Sequence, residues 1–454
     1  MTVPVGYDLL AARPRLRRID AVTLLTIYLL LLMGLPALLV LAPLGAAGGP
    51  ATMLAALLFL YYLVTWLHPG LTLDRGPQPI RVAATFFAFS ILASYVSATR
   101  HAMPILEQNA ADRGLIFLFG WLAVLLLAAD GINNMDRLVT LVRRIVYGAT
   151  AMAILGVTQF AIGLDAAKYI KIPGLVYQVP FTDLLSRQAF NRPSATASHP
   201  IEFGAVLAMS LPLAIHQARY ALPSLRRRRW VQVALIGTTL PMTVSRSALL
   251  GLAVGAIVIL PTWPKRDRRI AYVAMVLASL GLWATVHGLA GTIKSLFVNI
   301  GSDSSTTSRT GAFSAAGYYL RQNPWFGRGF GTFLPQTYRF LDDQYLGTLI
   351  ETGIIGFVAL LMIFFTGWRI ARAARRATAD PERRHLAQCL AACVAVATVS
   401  FATFDALSFP MAAGLTFLLL GCCGTVWRLL RRDNPALRPD RDMPRRATAQ
   451  AASR

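Results

Sequence analysis

Four arginines stand in sequence settings that could bind a phosphate group. They are Arg192 in Asn191-Arg-Pro-Ser, Arg246 between two serines, Arg309 in Thr307-Ser-Arg-Thr, and Arg328 in Gly327-Arg-Gly. A guanidinium remains protonated at any relevant pH, and its planar fork offers two parallel charge-assisted hydrogen bonds to phosphate oxygens. Any one of them could be an ordinary surface arginine. The four together favour an anion-binding site.

Acidic residues follow these arginines along the chain. Asp342 and Asp343 directly precede an apolar run, so either could cap the helix that starts there. A carboxylate beside an arginine-lined anion site could also take a proton from a hydroxyl nucleophile, and Asp342 is the candidate base. Glu351 lies about two turns into the same helix. Because an ionised side chain is costly in lipid, we expect Glu351 to face the protein interior and pair with an arginine.

A second helix start lies at Ser198-His199-Pro200, where proline occupies the first turn. The free N–H groups and the positive dipole end of that helix would favour an anion beside Arg192. The favourable interaction of a carboxylate with the helix dipole is sufficient to explain a glutamate, Glu202, in the first turn. His199 is explained by capping or packing, and is also a candidate for contacting a bound anion.

The elements that must position these residues are membrane helices. Apolar residues make up 56% of the 454, and runs of membrane-spanning length recur from end to end. We therefore predict an all-α, polytopic integral membrane protein with about twelve transmembrane helices. The predicted spans are Ala21–Leu41, Thr52–Leu67, Val82–Ala98, Leu115–Ala129, Ile145–Ile162, Ile201–Ala218, Trp230–Val244, Ala248–Trp263, Ile270–Leu289, Tyr345–Trp368, Leu386–Phe404 and Leu407–Val426.

The distribution of the 44 Lys and Arg residues predicts the orientation, because short basic loops stay on the cytoplasmic side. Most of them fall in cytoplasmic segments if both termini are cytoplasmic. The net charge of +23 is then an orientation signal and an attraction to anionic membrane lipids, and it does not indicate nucleic-acid binding. We read the first apolar segment as an uncleaved span because it is longer than a signal-peptide core.

One apolar hairpin, Trp230–Thr262, is bounded on both sides by basic clusters. Each of its arms would span about 25 Å against a hydrocarbon core of about 30 Å. The turn Ser245–Ser247 should therefore lie at or just below the outer interface. A guanidinium there is costly unless it is paired or hydrated, which makes Arg246 a functional candidate. The alternative is that Arg246 reaches out to lipid phosphates.

The chain is predicted to form one transmembrane domain, 1–433, followed by a disordered basic cytoplasmic tail, 434–454. Two outer loops are substantial, 163–200 and 291–343. The larger loop, between predicted helices nine and ten, should hold a short helix ending at Asn323-Pro324 and then an irregular glycine-rich backbone. The four cysteines lie in predicted helices as small apolar fillers. No metal-ligand spacing, Gly-x-Ser-x-Gly elbow or Walker-type loop is present in the sequence, so we expect metal-independent chemistry without a cofactor.

Four motifs in order resemble the bacterial O-antigen ligase and O-antigen polymerase superfamily. The resemblance covers roughly Arg192 to Gly356, and the order of the motifs is its specific signal. The motifs are Arg192-Pro-Ser-Ala-Thr-Ala-Ser-His-Pro200, Val244-Ser-Arg-Ser-Ala-Leu-Leu-Gly251, Asn323-Pro-Trp-Phe-Gly-Arg-Gly-Phe-Gly-Thr332 and Tyr345-Leu-Gly-Thr-Leu-Ile-Glu-Thr-Gly-Ile-Ile-Gly356.

This resemblance implies a GT-C-like membrane glycosyltransferase at the outer face of the bacterial cytoplasmic membrane. Its substrate would be a glycan on undecaprenyl pyrophosphate. Arg192 and Arg246 match the two substrate-binding arginines of the family, whereas Arg309 and Arg328 match weaker positions. The resemblance also allows a glycan, lipid or protein acceptor, and flippase and chain-length proteins as partners.

One departure from the family pattern bears on the acceptor. Ligases that use lipid A-core usually carry a His-Asn pair where this sequence has Asp342-Asp343. The departure favours a polymerase, or transfer to another acceptor, and an O-antigen ligase remains the alternative. We expect an inverting transfer in which Arg192 and Arg246 bind the pyrophosphate, Asp342 acts as the base, and Arg309, Arg328, His199, Glu351 and Asp343 contact the substrate.

Two other functional classes remain open. A twelve-helix transporter is suggested by 68–76, which faintly resembles a cytoplasmic loop motif of that class. Such transporters usually join two six-helix halves by a long central segment, whereas the predicted link between helices six and seven is about a dozen residues. A non-catalytic flippase or assembly component could use the same arginines to bind pyrophosphate without reacting.

Overall fold

The structure is a computed structural model, and it describes residues 20–67, 76–100, 102–178, 185–187, 190–286, 288, 291–294 and 304–433. Side chains are described throughout these ranges except at 304–310. The predicted disordered tail, most of the transporter-like segment 68–76 and the side chain of Arg309 lie outside the described residues.

The described part of the chain is mostly helical, which confirms the predicted class. Two short antiparallel ladders join β1 to β2 and β3 to β4. The helices are α1 Ala21–Gly34, α2 Pro50–Leu67, α3 Pro79–Ala98, α4 Ile105–Gly131, α5 Met135–Ile162, α6 Pro200–Arg219, α7 Pro223–Met242, α8 Arg246–Ile259, α9 Lys265–Thr285, α10 Ser304–Gln322, α11 Gln344–Arg376, α12 Pro381–Phe401 and α13 Pro410–Asp433, and the strands are β1 Leu39–Val40, β2 Val176–Tyr177, β3 Ser186–Arg187 and β4 Phe190–Asn191.

Each of the twelve predicted spans falls on one helix, and the extra helix α10 lies in the predicted large loop. Eight of the described helices are long and apolar enough to cross a membrane, namely α2 to α6 and α11 to α13. Helices α1 and α8 are 14 residues long, and α7 and α9 begin with basic clusters. A polytopic membrane protein is supported, while the count of twelve crossings stays a prediction.

Two helix boundaries differ from the prediction for a common reason. Helix α7 begins at Pro223 and not at Trp230, and α9 begins at Lys265 and not at Ile270. The basic clusters, which the sequence predicts as loops, therefore lie within the first turns of these helices. Arginine and lysine are good helix formers, so charge alone does not end a helix.

Helices α6 and α13 are the most buried of the candidate spans, and with α4 and α12 they form the centre of the bundle. The free cysteines Cys389, Cys393, Cys422 and Cys423 lie buried in α12 and α13. This placement fits their prediction as small apolar side chains.

Helix α11 is interrupted at Gly353, whose φ of 65° and ψ of −164° are not helical. Such a backbone conformation is almost restricted to glycine, and a Cβ at Gly353 would lie 2.5 Å from the carbonyl carbon of Trp325. The glycine-rich loop 323–333 fills the interruption. Ile354 N donates to Pro324 O at 2.9 Å, and Gly329 N donates to Glu351 O at 2.9 Å. The loop thus supplies the hydrogen bonds that the broken helix lacks.

Candidate functional site

The starts of four helices, α6, α8, α11 and α13, meet at one end of the bundle, which we call the site end. Glu202 in the first turn of α6 accepts hydrogen bonds from Met411 N at 2.7 Å and Ala412 N at 3.2 Å, at the start of α13. Gln344, the first residue of α11, accepts a hydrogen bond from Leu407 N at 2.8 Å, just before α13. The starts of α6, α11 and α13 are therefore in direct contact.

The start of α8 joins this group through its packing on α6. A Cβ added at Gly204 would lie 2.5 Å from the Cβ of Ala248, so only glycine allows this close approach. The four helices α6, α8, α11 and α13 consequently direct the positive ends of their dipoles toward one region. Converging helix N-termini favour a bound anion there.

The two arginines of the predicted anion site lie on adjoining segments at this end. Arg192 Nε donates to Thr243 O at 3.3 Å, in the turn between α7 and α8. Arg246 follows that turn as the first residue of α8, half-buried between the buried residues Ser245 and Ser247. The turn contains Val244 with a φ of 47°, which is rare for a β-branched residue. The structure brings Arg192 and Arg246 to one turn, as their proposed shared role requires.

The segment that carries Arg192 is held from beneath by Gln159 at the end of α5. The buried Gln159 Oε1 accepts hydrogen bonds from Ser194 N at 3.0 Å and Ala195 N at 2.6 Å, where Ala195 has a φ of 53°. Thr196 donates from its hydroxyl to Met33 O at 2.7 Å. Sequence reasoning missed Gln159, although an amide within an apolar helix is a signal that could have identified it.

His199 caps α6, because its Nδ1 accepts a hydrogen bond from Ile201 N at 3.2 Å. Burial and the nearby Arg192 guanidinium lower the pKa of His199 to about 4. The imidazole is therefore neutral near pH 7 and does not add a positive charge to the site. The predicted capping role of His199 is confirmed.

Glu202 does more than complement a helix dipole. One of its oxygens accepts hydrogen bonds from the backbone N–H and hydroxyl of Ser198, at 2.8 and 2.7 Å. The other oxygen accepts the hydrogen bonds from the two main-chain N–H groups at the start of α13. Glu202 is fully buried and joins two helix starts, so it has a structural role.

Asp342 and Asp343 have different surroundings. Asp343 is the N-cap of α11, since its Oδ1 accepts hydrogen bonds from Tyr345 N at 2.8 Å and Leu346 N at 3.2 Å. Asp342 is half-buried, and its carboxylate accepts no hydrogen bond from the described part of the chain. The capping explanation therefore applies to Asp343 and leaves Asp342 available for another role.

Asp405, in the short connection between α12 and α13, is a member of the site that sequence reasoning missed. Burial, together with the Asp342 and Glu202 carboxylates, raises the pKa of Asp405 to about 6. The residue is half-buried, and it is near enough to Asp342 for the two carboxylates to repel each other. A lone aspartate between two apolar helices is the signal that could have identified it.

Glu351 and Arg328 are close to each other but bind different groups. The carboxylate of Glu351 accepts a hydrogen bond from Phe333 N at 3.1 Å, and no ion pair of Glu351 with an arginine is found among the described residues. The predicted pairing with an arginine is therefore not observed. Main-chain N–H groups of the loop satisfy this side chain instead.

Arg328 donates to Glu107 Oε2 at 2.8 Å and to the Tyr338 hydroxyl at 2.7 Å. Its guanidinium carbon lies 4.1 Å from the centre of the Tyr338 ring and also faces the rings of Tyr319 and Phe333. The structure thus gives Arg328 an aromatic and acidic environment that fixes the loop on α4. A role in substrate binding stays a prediction for Arg328.

A large apolar groove runs along α6, α7, α8 and α9. Its volume is about 1260 Å³, and it reaches from Leu249 and Lys294 near the site end to Arg219 and Trp263 near the other end. Its walls are dominated by aliphatic side chains of the four helices. A groove of this kind suits a long hydrocarbon chain.

No group of three or more His, Cys, Asp or Glu side chains that could hold a metal ion occurs within the described ranges.

The O-Antigen ligase family model matches residues 231–361 of the chain. No curated protein matches the chain. The matched range contains Arg246, Arg328, Asp342, Asp343 and Glu351, whereas Arg192 and His199 precede it. Over this range the chain is similar to the O-antigen ligase family.

Proposed function

We propose that this chain is a membrane glycosyltransferase that transfers a glycan from undecaprenyl pyrophosphate to an acceptor hydroxyl at the outer face of the cytoplasmic membrane. The family match supports O-antigen ligation or polymerisation in general, by a glycosyl-transferring enzyme of the bacterial inner membrane. The observation that carries the proposal is the placement of Arg192 and Arg246 on one turn at the end where the starts of α6, α8, α11 and α13 meet.

In this proposal, Arg192 and Arg246 bind the pyrophosphate of the lipid-linked donor. When the bond between the anomeric carbon and the pyrophosphate oxygen breaks, negative charge develops on the leaving group. Two guanidinium groups and the positive ends of nearby helices stabilise that charge, which lowers the barrier to transfer. The leaving group is undecaprenyl pyrophosphate.

The acceptor hydroxyl supplies the new bond. Its oxygen attacks the anomeric carbon from the face opposite the pyrophosphate, which inverts the configuration, and its proton passes to Asp342 as the general base. Support comes from the position of Asp342, which precedes the helix cap and is not the cap. Asp405 beside it contributes negative charge near the sugar, whose ring becomes positively charged in the transition state.

The apolar groove gives the lipid a path to this site. A polyprenyl chain could lie along α8, whose 14 residues measure about 21 Å, with its pyrophosphate near the Arg246 turn. In the predicted orientation the donor would reach the groove laterally from the bilayer. The predicted GT-C-like arrangement and the cytoplasmic location of both termini belong to this proposal.

The acceptor is proposed to be another glycan chain, which makes the enzyme a polymerase. Asp342-Asp343 stands where ligases for lipid A-core usually carry His-Asn, and this favours a different acceptor. An O-antigen ligase with a lipid or protein acceptor is the second candidate, and flippase and chain-length proteins are the proposed partners. A twelve-helix transporter is disfavoured because only residues 220–222 separate α6 from α7.

Reconstitution tests the proposal directly. The purified protein in proteoliposomes, supplied with lipid-linked oligosaccharide, should release undecaprenyl pyrophosphate and form longer glycans. Arg246→Lys keeps the charge but loses the fork, so transfer should fall by a factor on the order of 10² to 10³. Arg383→Lys is the matched control, because Arg383 lies at the other end of the bundle and pairs with Asp433.

Mass spectrometry of the lipid and glycan products measures the outcome. Wild-type protein that moves the lipid-linked glycan across the membrane without breaking the glycan–pyrophosphate bond would support the flippase reading. Full activity of Arg246→Lys would contradict the proposed binding of pyrophosphate by the Arg246 guanidinium. Arg246 would then be an arginine that faces lipid phosphates.

A further inference from the structure

A second pocket lies beside α10, apart from the apolar groove. Its volume is about 690 Å³, which is within the range of about 300 to 1000 Å³ usual for small-molecule sites. Aromatic rings and hydrogen-bonding side chains make up most of its walls, whereas aliphatic side chains predominate in the groove. The residues that line it include Tyr319, Phe333, Thr337, Tyr338, Arg339 and Phe340.

The floor of this pocket is a cluster of packed aromatic rings. The rings of Phe333 and Tyr338 stack with centroids 5.1 Å apart, and Tyr319 meets Phe333 edge-on at 5.5 Å. The Arg328 guanidinium lies against this cluster and is held by Glu107. The aromatic surface is therefore arranged before any ligand binds, and binding does not have to order it.

The rim of the pocket is exposed. Phe340 exposes 66% of its surface, and its neighbour Arg339 is also exposed, as is Thr337. Here an exposed aromatic ring lies beside polar side chains and above a packed aromatic floor. This combination is typical of a binding surface. The aromatic faces can cover an apolar ligand face, and the guanidinium and hydroxyl can bind the polar edge of the same ligand.

We propose that this pocket binds sugar residues of the acceptor glycan. A pyranose ring has an apolar face of C–H groups and an edge of hydroxyls, which matches a surface of aromatic rings flanked by Arg339 and Thr337. Phe340 precedes the proposed base Asp342 by two residues, so a glycan held here would end close to the reacting centre. This inference rests on the proposed function, and it assigns the acceptor to a site separate from the donor arginines.

A lipid chain is a poorer occupant of this pocket. The walls of the pocket contain Tyr319, Thr337 and Arg339. The polar groups of these side chains would have no hydrogen-bond partner in a bound hydrocarbon chain. The apolar groove provides the better site for hydrocarbon. The sugar chain therefore fits the composition of the pocket more closely.

Phe340→Ala removes the exposed ring without disturbing the floor. The probe is the repeat-unit oligosaccharide released from the cells' own polysaccharide by mild acid, and its binding to the purified protein is measured by saturation-transfer NMR. Phe340→Ala should weaken binding about tenfold, equivalent to about 1.4 kcal/mol. Phe340→Tyr should retain binding because the ring is kept.

The matched control is Phe313→Ala. Phe313 exposes 62% of its surface on α10 and does not line the pocket, so its removal should leave binding unchanged. Equal loss of binding in both alanine variants, or no loss in Phe340→Ala, overturns the assignment. In the transfer assay, Phe340→Ala should raise KM for the acceptor about tenfold and change kcat little.

Arg246→Lys separates this inference from the proposed function. The variant should bind the oligosaccharide as the wild type does, because no residue of the Arg246 turn lines the pocket. Phe340-dependent binding in a wild-type protein that transfers nothing would support the glycan site and contradict the enzyme. Transfer with a KM that does not respond to Phe340→Ala would support the enzyme and overturn the pocket.

Discussion

The two ends of the helix bundle hold their carboxylates in different ways. At the end opposite the site, Asp130 pairs with Arg81 at 2.8 Å and Asp20 pairs with Arg137 at 2.6 Å. At the site end, Glu202, Asp343 and Glu351 accept hydrogen bonds from main-chain N–H groups. Arginines neutralise the acids that hold the bundle together, whereas helix starts and a loop position the acids around the site. Glu202, Asp343 and Glu351 thus keep their positions without an arginine partner, whereas Glu107 at the start of α4 pairs with Arg328.

The largest expected effect tests Asp342, which precedes the N-cap of α11 and does not cap that helix. Asp342→Asn keeps the shape of the side chain but cannot accept a proton, so transfer should fall by a factor on the order of 10² to 10⁴. Asp343→Asn is the control because asparagine caps a helix about as well as aspartate. The measurement is the rate of glycan transfer by each purified variant relative to the wild type. If Asp342→Asn works at the wild-type rate, the base must be sought at Asp405, Asp343, Glu351 or His199.

The same substitution at the opposite end should have a different kind of effect. Asp130 is buried, and it also accepts a hydrogen bond from the Tyr62 hydroxyl at 2.8 Å. Asp130→Asn leaves the Arg81 charge without its carboxylate, which should lower the free energy of unfolding by about 3 kcal/mol. Thermal unfolding of the purified protein measures this loss, and activity per folded molecule should be unchanged. A loss of specific activity equal to that of Asp342→Asn would erase the distinction between the two ends.

The smallest expected effect concerns pH. Because burial and neighbouring carboxylates raise the pKa of Asp405 to about 6, Asp405 is mostly protonated below that pH and ionised above it. Ionised Asp405 favours the positive charge that develops on the sugar, so the transfer rate should rise several-fold as pH increases through about 6. In Asp405→Asn this inflection should disappear. An unchanged pH profile in the variant would mean that Asp405 does not influence the reaction.

Local signals in the sequence predicted several boundaries of the site well. Proline placed the start of α6 at Pro200, and the length of the apolar hairpin placed the turn at Arg246. Asn323-Pro324 correctly ended α10 at Gln322. The following glycines at 327, 329 and 331 all have positive φ, as an irregular backbone requires. Each of these features depends on a few neighbouring residues, so one sequence contains the necessary information.

Contacts between distant parts of the chain could not be predicted in this way. Arg328 pairs with Glu107 across 221 positions of sequence, and Glu202 reaches the amides of α13 across 209. The interior placement of Glu351 was expected from the cost of a charge in lipid. The hydrogen-bond partner of Glu351 was not expected, because every residue type except proline has a main-chain N–H group and the sequence therefore does not indicate which one binds. The same limit hid Asp405, whose importance depends on which helices meet around it.

The interruption of α11 at Gly353 has a consequence for how such a chain can vary in evolution. Residues 324–329 and 350–355 exchange main-chain hydrogen bonds in a fixed register, with Arg328 N also bonded to Ile350 O at 3.0 Å. An insertion or deletion within either segment would shift this register and leave main-chain N–H and C=O groups without their hydrogen bonds. Length changes should therefore be tolerated in the intervening stretch 334–341 or before α10, where a lineage could adapt the loop to a new sugar while the paired segments stay constant in length.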